Sequence, residues 1–376
     1  MTQLDFQTRA IHSGKSRDPT PQTHTVPIYQ TATAIFDTAE ELVEAYKTQH
    51  DRFFYSREGN PTVTSLEGKL SVLTGGEACL ATASGMAAIS TAVMSIAING
   101  DHIIVSKDVF ISSHHFFSID CPNMGIEVSR VDLLNLDDIK DAVRPNTKLI
   151  YTETFVNPTM DFVDIKALRS IANEHELLLV VDNTHLSPYL FRPIELGADL
   201  VVHSATKYLS GHGDVLGGIV AGNKDLVMTA RRMLFRFGQC LSPFDAWLIL
   251  RGIRTLPLRM REHSANALAL ANFLNEHPRV EWVKYPSFPS QTNSDLARSQ
   301  LTVGFGGLVL FKVPGGYDEM CQVMNSLKLA TVGTSLGDLF TLLSPTPEFD
   351  NSIRVAVGCE SPSDIIADFA EALEHA

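Results

Sequence analysis

The chain has 376 residues, with 30 Lys and Arg against 43 Asp and Glu and a formal net charge of −13. This length is enough for more than one domain around a large core, and without a Lys/Arg block we expect no nucleic-acid partner. The start, MTQLDFQTRAIHSG, lacks the apolar segment of a signal peptide, and the apolar stretch 86–98 is too short to span a membrane. Five scattered cysteines without a CxxC pair are typical of a reducing compartment, so we expect a cytoplasmic protein.

The first part of the chain, residues 1–58, has several prolines and predicts an extended arm with one short amphipathic helix at 36–48. From about residue 60, apolar strand patterns alternate with helical patterns. This alternation predicts a mostly parallel sheet with helices on both faces, an α/β domain over 59–250. The predicted strands are 78–82, 102–105, 149–152, 178–181, 200–202 and 218–221, and the predicted helices include 60–73 and 165–175.

The last third of the chain has a different pattern. A long helical stretch covers 243–273, and the boundary between domains is predicted near Leu250. Strand patterns at 307–313 and 354–357 and a closing helix at 362–375 then predict a smaller α+β domain over 251–376.

The stretch 199–218, DLVVHSATKYLSGHGDVLGG, holds one lysine just past a buried strand. Partial burial would lower the pKa of Lys207 and make its amine a nucleophile toward a carbonyl. Ser204 and Thr206 are short donors that could hold an anion beside it. This combination fits a Schiff base with pyridoxal phosphate (PLP). A surface lysine in a flexible glycine loop is the competing interpretation.

Two upstream stretches support the PLP interpretation. Asp182 ends the apolar run 177–183, LLLVVDN, where open α/β sheets place their ligands, and its carboxylate could pair with the pyridine nitrogen. In 81–88, ATASGMAA, the free amides of Gly85 and Met86 at a helix start could bind phosphate. Taken alone, each stretch reads as a turn or a helix cap. A nicotinamide-binding fingerprint is excluded, because the glycines after the lysine have the wrong spacing and come too late in the chain.

The chain resembles the cystathionine γ-synthase-like, or Cys/Met-metabolism, family of PLP enzymes of fold type I. The resemblance runs almost end to end and is highly specific. The stretches that carry it are YSREGNPT (55–62), TGGEACLATASGMAAI (74–89), GDHII (100–104), ETFVNPT (153–159), the stretch from VVDNTHLSPYL through HSATKYLSGHGDV (180–215), SPFDAWLILRGIRTLPLRM (242–260) and SIRVAVGCE (352–360).

This resemblance implies a role for each matching residue. Lys207 would form the Schiff base and then move protons between substrate and cofactor carbons, and Asp182 would hold the pyridinium. Tyr55 and Arg57 would come from a neighbouring subunit, which implies an obligate dimer, usually doubled to a tetramer. The other implied roles are phosphate binding by Gly85, Met86, Ser204 and Thr206, and a hydrogen bond from Asn157 to the phenolic oxygen of PLP. Arg354 and Ser335 would bind the substrate carboxylate, and Ser335, near the lysine, would also be catalytic. No metal site is expected.

Arg354 also stands out without the resemblance. It lies in the apolar stretch SIRVAV, where an unpaired charge is costly. A guanidinium fork fits the α-carboxylate of an amino acid through two parallel hydrogen bonds. A structural salt bridge is the competing interpretation.

Three residues or segments depart from the family pattern. Phe110 replaces a tyrosine that stacks on the cofactor and handles a proton near the leaving group, so the aromatic face remains without the phenol. Asp338 and Phe340 appear where the family has SLGGxESL, and His185 replaces a phenylalanine. The candidates for handling this proton are Lys207 itself and the histidines at 114, 115 and 185. We therefore hypothesise that at least one of the three histidines replaces the phenol, or that the leaving group needs little protonation.

The resemblance implies α,γ-elimination from a γ-substituted L-amino acid, giving ammonia and a 2-oxo acid. The Gly-His-Gly-Asp sequence after the lysine is most similar to methionine γ-lyases, with cystathionine γ-lyases close to them. The first alternative is a γ-replacement transferase such as cystathionine γ-synthase or O-acylhomoserine sulfhydrylase. The second is a PLP-binding protein without turnover.

Overall fold

A computed structural model describes residues 4–14, 23–47, 53–156 and 158–374. Its helices are α1 (Phe6–His12), α2 (Ala39–Lys47), α3 (Pro61–Thr74), α4 (Gly85–Met94), α5 (Ile111–His115), α6 (Cys121–Asn123), α7 (Leu136–Ala142), α8 (Ile165–Glu174), α9 (Ser187–Leu190), α10 (Lys224–Phe237), α11 (Pro243–Ile253), α12 (Leu256–Glu276), α13 (Ser294–Gln300), α14 (Tyr317–Ser326) and α15 (Pro362–Glu374). A π-helical turn, Phe116–Asp120, joins α5 to α6, and a 3₁₀ turn spans Pro193–Leu196. No helix in these ranges is long and apolar enough to cross a membrane.

The strands form two sheets. Their bounds are β1 (Ala78–Thr82), β2 (His102–Ser106), β3 (Glu127–Val131), β4 (Thr147–Glu153), β5 (Leu178–Asp182), β6 (Leu200–Ser204), β7 (Gly218–Gly222), β8 (Trp282–Lys284), β9 (Leu308–Lys312), β10 (Thr331–Val332), β11 (Leu342–Thr346) and β12 (Ser352–Ala356). The larger sheet has the order β1-β7-β6-β5-β4-β2-β3 and the smaller one β10-β11-β12-β9-β8.

The larger sheet is mostly parallel, as the sequence predicts. Only β7 runs antiparallel to its neighbours, β1 and β6. Both faces are covered: Ile150 of β4 belongs to one apolar cluster, while the next residue, Tyr151, belongs to the cluster on the opposite face. Strands buried on both faces read as continuous apolar runs, which is why six of the seven were predictable. The seventh, β3, is an edge strand with mixed polar residues, EVSRV, and carries no such signal.

The smaller sheet is antiparallel except for the pair β10 and β11. Helices α12, α14 and α15 pack against it through the third apolar cluster. The predictions of β9 and β12 are confirmed, but β8, β10 and β11 were missed. Two of these strands have three residues or fewer, and β11 contains Pro345, which argues against a strand from sequence alone.

The single helix predicted over 243–273 is wrong. The chain forms α11 and α12 instead, with a break after Ile253. Pro257 lacks an N–H and cannot lie inside a continuous helix, but it fits the first turn of a new one. Helix α11 packs on α3 and α12 packs on α15, β8 and β9. The predicted boundary near Leu250, with domains over 59–250 and 251–376, stays a prediction.

The described parts of the N-terminal segment contain one more helix than the predicted extended arm. Helix α1 packs on α3, and Lys69 of α3 donates to the carbonyl of Ala10 at 2.6 Å. The predicted helix at 36–48 is present as α2. Asn60 caps α3 by accepting the Thr62 amide at 3.0 Å, so the predicted helix begins one residue later, at Pro61.

A buried arginine ties the loop after β6 to the junction of α11 and α12. Arg259 donates to the carbonyls of Tyr208 and Gly252, each at 2.8 Å. Gly211, at φ +69°, lies so close to this guanidinium that any side chain there would overlap it. Burial lowers the pKa of Arg259 to about 10. Arg259 therefore fixes the backbone next to Lys207.

Replacing Arg259 by Ala should lower the free energy of unfolding by about 2–4 kcal/mol, because two buried carbonyls lose their donor and a cavity forms. Denaturant unfolding with an unchanged m value is the measurement. Arg261→Ala, at an exposed position two residues along the same helix, is the control and should stay within about 0.5 kcal/mol. Equal losses for both variants would contradict this role.

Candidate active site

The site is built at the carboxyl ends of the parallel strands. Glu153 ends β4, Asp182 ends β5 and Ser204 ends β6. Side chains alternate between faces along a strand, and these three occupy the face that also carries Tyr151, Val180 and Val202. Helix α4 packs against β6 on the same face. Sequence alternation and strand order alone thus bring two carboxyl groups, a hydroxyl and a helix N-terminus together.

Lys207 follows β6 by three residues in a tight turn. Its amide donates to the carbonyl of Ser204 at 3.2 Å, and its carbonyl accepts the Gly211 amide at 2.9 Å. The side-chain Nζ donates to Ser335 Oγ at 2.7 Å. Burial, and secondarily the charge of Arg354, lowers the pKa of the Lys207 amine. A lysine held in this way has a larger neutral, nucleophilic fraction than a solvated one.

Ser335 meets Lys207 from the C-terminal part of the chain. Its φ of 133° lies in a region that L-residues rarely adopt. Gly337, at φ +80°, lies against the backbone of Lys207 and Tyr208, where a Cβ would be about 3.0 Å from the carbonyl carbon of Lys207. Because Gly337 has no side chain, the segment that contains Ser335 packs directly against the turn that contains Lys207. This packing places the Ser335 hydroxyl within hydrogen-bonding distance of the Lys207 amine.

Asp182 is fixed by its own turn. Its Oδ1 accepts the Thr184 amide at 2.8 Å, and the Tyr151 hydroxyl donates to Oδ2 at 3.5 Å. Burial raises the pKa of Asp182 to about 6. Among the described residues no cation pairs with this carboxylate. The protonated nitrogen of a pyridine ring would supply the missing positive charge.

The N-terminus of α4 offers unpaired donors beside Ser204. Ser84 caps the helix by accepting the Ala87 amide at 3.1 Å, and the amides of Gly85 and Met86 have no acceptor in the described part of the chain. A Cβ on Gly85 would lie 2.9 Å from Ser204 Oγ and would fill this space. Free amides, a hydroxyl and a glycine suit a phosphate group. The Thr206 hydroxyl instead contacts the backbone of Gly217, accepting its amide at 3.1 Å.

Arg354 lies on β12, opposite Leu310 of β9. Its Nε is buried without a hydrogen-bond partner, and no acidic side chain pairs with its guanidinium among the residues the structure covers. Burial lowers the pKa of this group. The structural salt bridge considered from the sequence therefore has no partner in these ranges. A ligand carboxylate would satisfy the guanidinium.

His185 is the histidine that shares this environment. Burial, together with the charges of Arg354 and Lys207, lowers the pKa of His185 to about 4, and its Nδ1 is buried without a partner. His114 and His115 lie on α5, where their rings contact each other. Burial and Arg130 lower the pKa of His114, and His115 is exposed. At neutral pH His185 is therefore an uncharged hydrogen-bonding group and holds no proton to give as an imidazolium.

Phe110 is the residue that precedes α5, and it is 45% exposed. Its backbone amide donates to Glu153 Oε1 at 2.6 Å. Glu153 is a site residue that the sequence reasoning missed, although it opens the quoted motif ETFVNPT. A carboxylate at the end of a second buried strand, next to that of Asp182, was the available signal.

Tyr55 and Arg57 lie apart from Lys207 within one chain. They are exposed, the guanidinium of Arg57 lies over the Tyr55 ring at 5.5 Å, and Glu58 is 3.5 Å away. Both line an open cleft of about 590 Å³ beside α2. A second cleft, of about 370 Å³, is lined by residues that include Thr206, Ser335 and Asp338. Asn157 lies outside the described residues.

The donors and charges of the site fit PLP: free amides for its phosphate, an uncompensated carboxylate for its ring nitrogen and a partly desolvated lysine for its aldehyde. Together with the mostly parallel sheet, they define a PLP-dependent enzyme of fold type I. The family model described as "Cys/Met metabolism PLP-dependent enzyme" matches residues 7–374, and the chain belongs to this family. The predictions of family, fold and cofactor are confirmed.

Relatives and one solved structure agree with this assignment. The chain is 42% identical to L-methionine gamma-lyase of Porphyromonas gingivalis, covering 98% of this chain and 97% of the relative. It is 40% identical to O-succinylhomoserine sulfhydrylase of Pseudomonas aeruginosa, covering 98% and 95%. A crystal structure of an O-acetylhomoserine (thiol)-lyase from Campylobacter jejuni matches with a TM-score of 0.94 and 30% identity over 99% of this chain and 100% of that one. It holds N'-pyridoxyl-lysine-5'-monophosphate.

The hypothesis that a histidine replaces the family phenol stays a prediction. Of the three histidines, only His185 has its pKa lowered by burial together with the charges of Arg354 and Lys207, and as a neutral imidazole it would act there as a hydrogen-bonding group and not as an imidazolium acid. With a pKa of about 4, His185 does not titrate between pH 6 and 9. His185→Phe should therefore raise KM for an amino-acid substrate while leaving the shape of the kcat/KM profile over this range unchanged. Phe110→Tyr, which restores a phenol, should raise kcat/KM for thioethers roughly tenfold, below the full effect of a general acid. If His185→Phe abolished the rise or the fall of kcat/KM with pH in this range, His185 could not be uncharged throughout it.

Proposed function

We propose that the protein is a lyase that catalyses α,γ-elimination from a γ-substituted L-amino acid, methionine or cystathionine in type. The observation that carries this proposal is the pairing of an amine and a free cation in one place. Lys207 Nζ is held by Ser335 at 2.7 Å, and the charge of unpartnered Arg354 acts on the same amine. An α-amino acid carries two groups that fit such a site: an amine that would take the place of the lysine on the cofactor, and a carboxylate for the guanidinium. The similarity to methionine γ-lyases supports the choice of γ-substituent.

Arg354 binds and orients the substrate. Its guanidinium has two parallel donors for the α-carboxylate, and its buried Nε has no competing acceptor in the described ranges. Neutralising the charge on Arg354 would also relieve its effect on the Lys207 amine. Substrate binding therefore brings the lysine closer to its ordinary basicity at the moment when a base is needed.

Lys207 moves the protons. PLP supplies an electron sink that acidifies the Cα–H and then the Cβ–H bonds of the substrate. A neutral amine at Nζ accepts these protons near neutral pH, and Ser335 Oγ fixes the position of the amine during transfer. The γ-substituent leaves with one proton as a thiol. One water is consumed, and the rest of the substrate leaves as ammonia and a 2-oxo acid.

The second candidate is γ-replacement, in which a thiol or sulfide enters where the γ-substituent left. The similarity to O-succinylhomoserine sulfhydrylase favours it almost as strongly as the lyase similarity favours elimination. The negative charge along the second cleft disfavours replacement on a succinylated substrate. Asp214 and Asp338 both line this cleft, and a succinyl group would bring a third negative charge there.

Incubating the purified enzyme with methionine, cystathionine, O-acetylhomoserine and O-succinylhomoserine separates these functions. Elimination predicts that the two thioethers give 2-oxo acid and ammonia in equal amounts without sulfide. Replacement predicts little 2-oxo acid, and homocysteine from the O-acylhomoserines once sulfide is added. Homocysteine as the dominant product, with thioethers left intact, would overturn the lyase proposal.

The same proposal includes a homo-oligomer, a dimer that is doubled to a tetramer, in the cytoplasm. Tyr55 and Arg57 are exposed and line a different cleft from Thr206 and Ser335. This separation supports the idea that they serve the phosphate of a neighbouring subunit. The five cysteines are unpaired, which suits a reducing compartment.

Mixing inactive variants tests the shared site. A dimer that combines Arg57→Ala with Lys207→Ala chains has one intact site, so random mixing should restore roughly a quarter of the wild-type activity. Lys207→Ala mixed with Asp182→Asn is the control, because both residues come from one chain and no intact site forms. Mass spectrometry confirms that the chains have mixed. Mixed dimers without rescue in the first pair would count against a shared site.

A further inference from the structure

Two carboxyl groups lie side by side in the floor of the site. Glu153 and Asp182 are register partners on adjacent parallel strands, and both end their strands. Glu153 is 6% exposed. Two buried carboxylates at this spacing cannot both be ionised without a nearby cation, because their repulsion adds to the cost of burial.

No cation compensates Glu153 in the described part of the chain. The titratable groups that act on it are Asp182 on β5 and Tyr151 on its own strand, and burial keeps Tyr151 neutral by raising its pKa. Glu67 shows the contrast. It is equally buried and also accepts a backbone amide, that of Ala81 at 3.0 Å, but Arg231 pairs with it at 2.8 Å. Glu153 also accepts a backbone amide, but no arginine among the described residues pairs with it.

The two oxygens of Glu153 have different surroundings, and the unpartnered one is the place where a proton would lie. Oε1 accepts the Phe110 amide at 2.6 Å, whereas Oε2 is buried without any partner in these ranges. In a neutral acid one oxygen accepts and the other carries the proton. Burial and the charge of Asp182 raise the pKa of Glu153 to about 8, and the Phe110 amide opposes them only in part.

We propose that Glu153 is a positioning residue that carries a proton in the folded enzyme, anchors the backbone of Phe110 as a neutral acid and leaves Asp182 as the only anion beside the pyridine nitrogen. This inference rests on the proposed role of Asp182 but not on the identity of the substrate. Its consequence is that Phe110, at the position of the family's stacking tyrosine, is held by an uncharged group over the working pH range.

The proton on Glu153 can be observed directly in the holoenzyme. The infrared difference spectrum between wild type and Glu153→Gln at pH 7 should contain the carbonyl band of a protonated carboxylic acid, lost in the variant. The band should fade as the pH is raised. Glu67→Gln is the matched control and should lose carboxylate bands only. A carboxylate band at Glu153 at pH 7 would overturn the proposal, whatever substrate the enzyme uses.

Thermodynamic linkage gives a second measurement on the full-length chain freed of PLP. A carboxyl whose pKa is raised on folding lowers stability as pH rises from its unfolded value toward its folded value, here about 8. Relative to Glu153→Gln, wild type should therefore lose roughly tenfold in its folded-to-unfolded ratio per pH unit between pH 5.5 and 7.5. Asp182→Asn removes the like-charged neighbour and should shrink this loss. If the free energy of unfolding changed with pH in the same way in wild type and Glu153→Gln, the proposal would be wrong.

The anchoring role is tested by how tightly PLP is held. Glu153→Gln keeps an acceptor for the Phe110 amide and should hold PLP about as tightly as wild type at pH 7. Glu153→Leu removes the acceptor and should weaken PLP binding about tenfold, the usual effect of one unsatisfied buried donor. Equal PLP affinity in the two variants, measured by equilibrium dialysis, would show that Phe110 does not depend on this contact.

Discussion

The hydrogen bond between Lys207 and Ser335 joins parts of the chain that are 128 residues apart. The lysine belongs to the turn after β6 of the larger sheet, and the serine precedes β11 of the smaller one. Gly337 also packs against the backbone of Lys207 and Tyr208 and so holds these segments together. Arg259 fixes the lysine turn from another side by binding the carbonyls of Tyr208 and Gly252. The amine is therefore placed by both sheets at once, and neither sheet alone completes the site.

Uncompensated charge is the second feature that organises the site. Lys207, Asp182 and Arg354 are each desolvated, and each has its pKa shifted toward the neutral form. Burying such groups without partners is destabilising, so the folded chain retains them at a cost. In the proposed complex each of these groups meets a ligand group: the pyridinium would pair with Asp182, the α-carboxylate with Arg354, and the aldehyde would react with the neutral amine of Lys207. Under this proposal the ligands, rather than protein ion pairs, satisfy the polar groups of the site.

The sequence predicted what periodic patterns and family motifs encode. Continuous apolar runs located β5 and β6, and strand ends located Asp182 and Lys207, because parallel strands put their carboxyl ends at one edge. Short or edge elements such as β3 and β10 lack a distinctive pattern, and the break between α11 and α12 depended on one proline. The state of Glu153 could not be predicted, because it depends on which strand lies next to β5 and on which cations are absent.

In the proposed complex, the residues that depart from the family pattern lie on the substrate side of the site. The residues that fit the cofactor keep the family pattern. Phe110 retains a ring but no phenol, and His185 is a neutral imidazole near Lys207 and Arg354. The carboxylate of Asp338 lies against Gly213, where a side chain would overlap it, and both residues line the smaller cleft. A carboxylate and an uncharged imidazole give hydrogen-bonding capacity without positive charge. A site of this composition suits a neutral thioether better than an anionic succinyl group, which is the physical reason to place elimination ahead of replacement on O-succinylhomoserine.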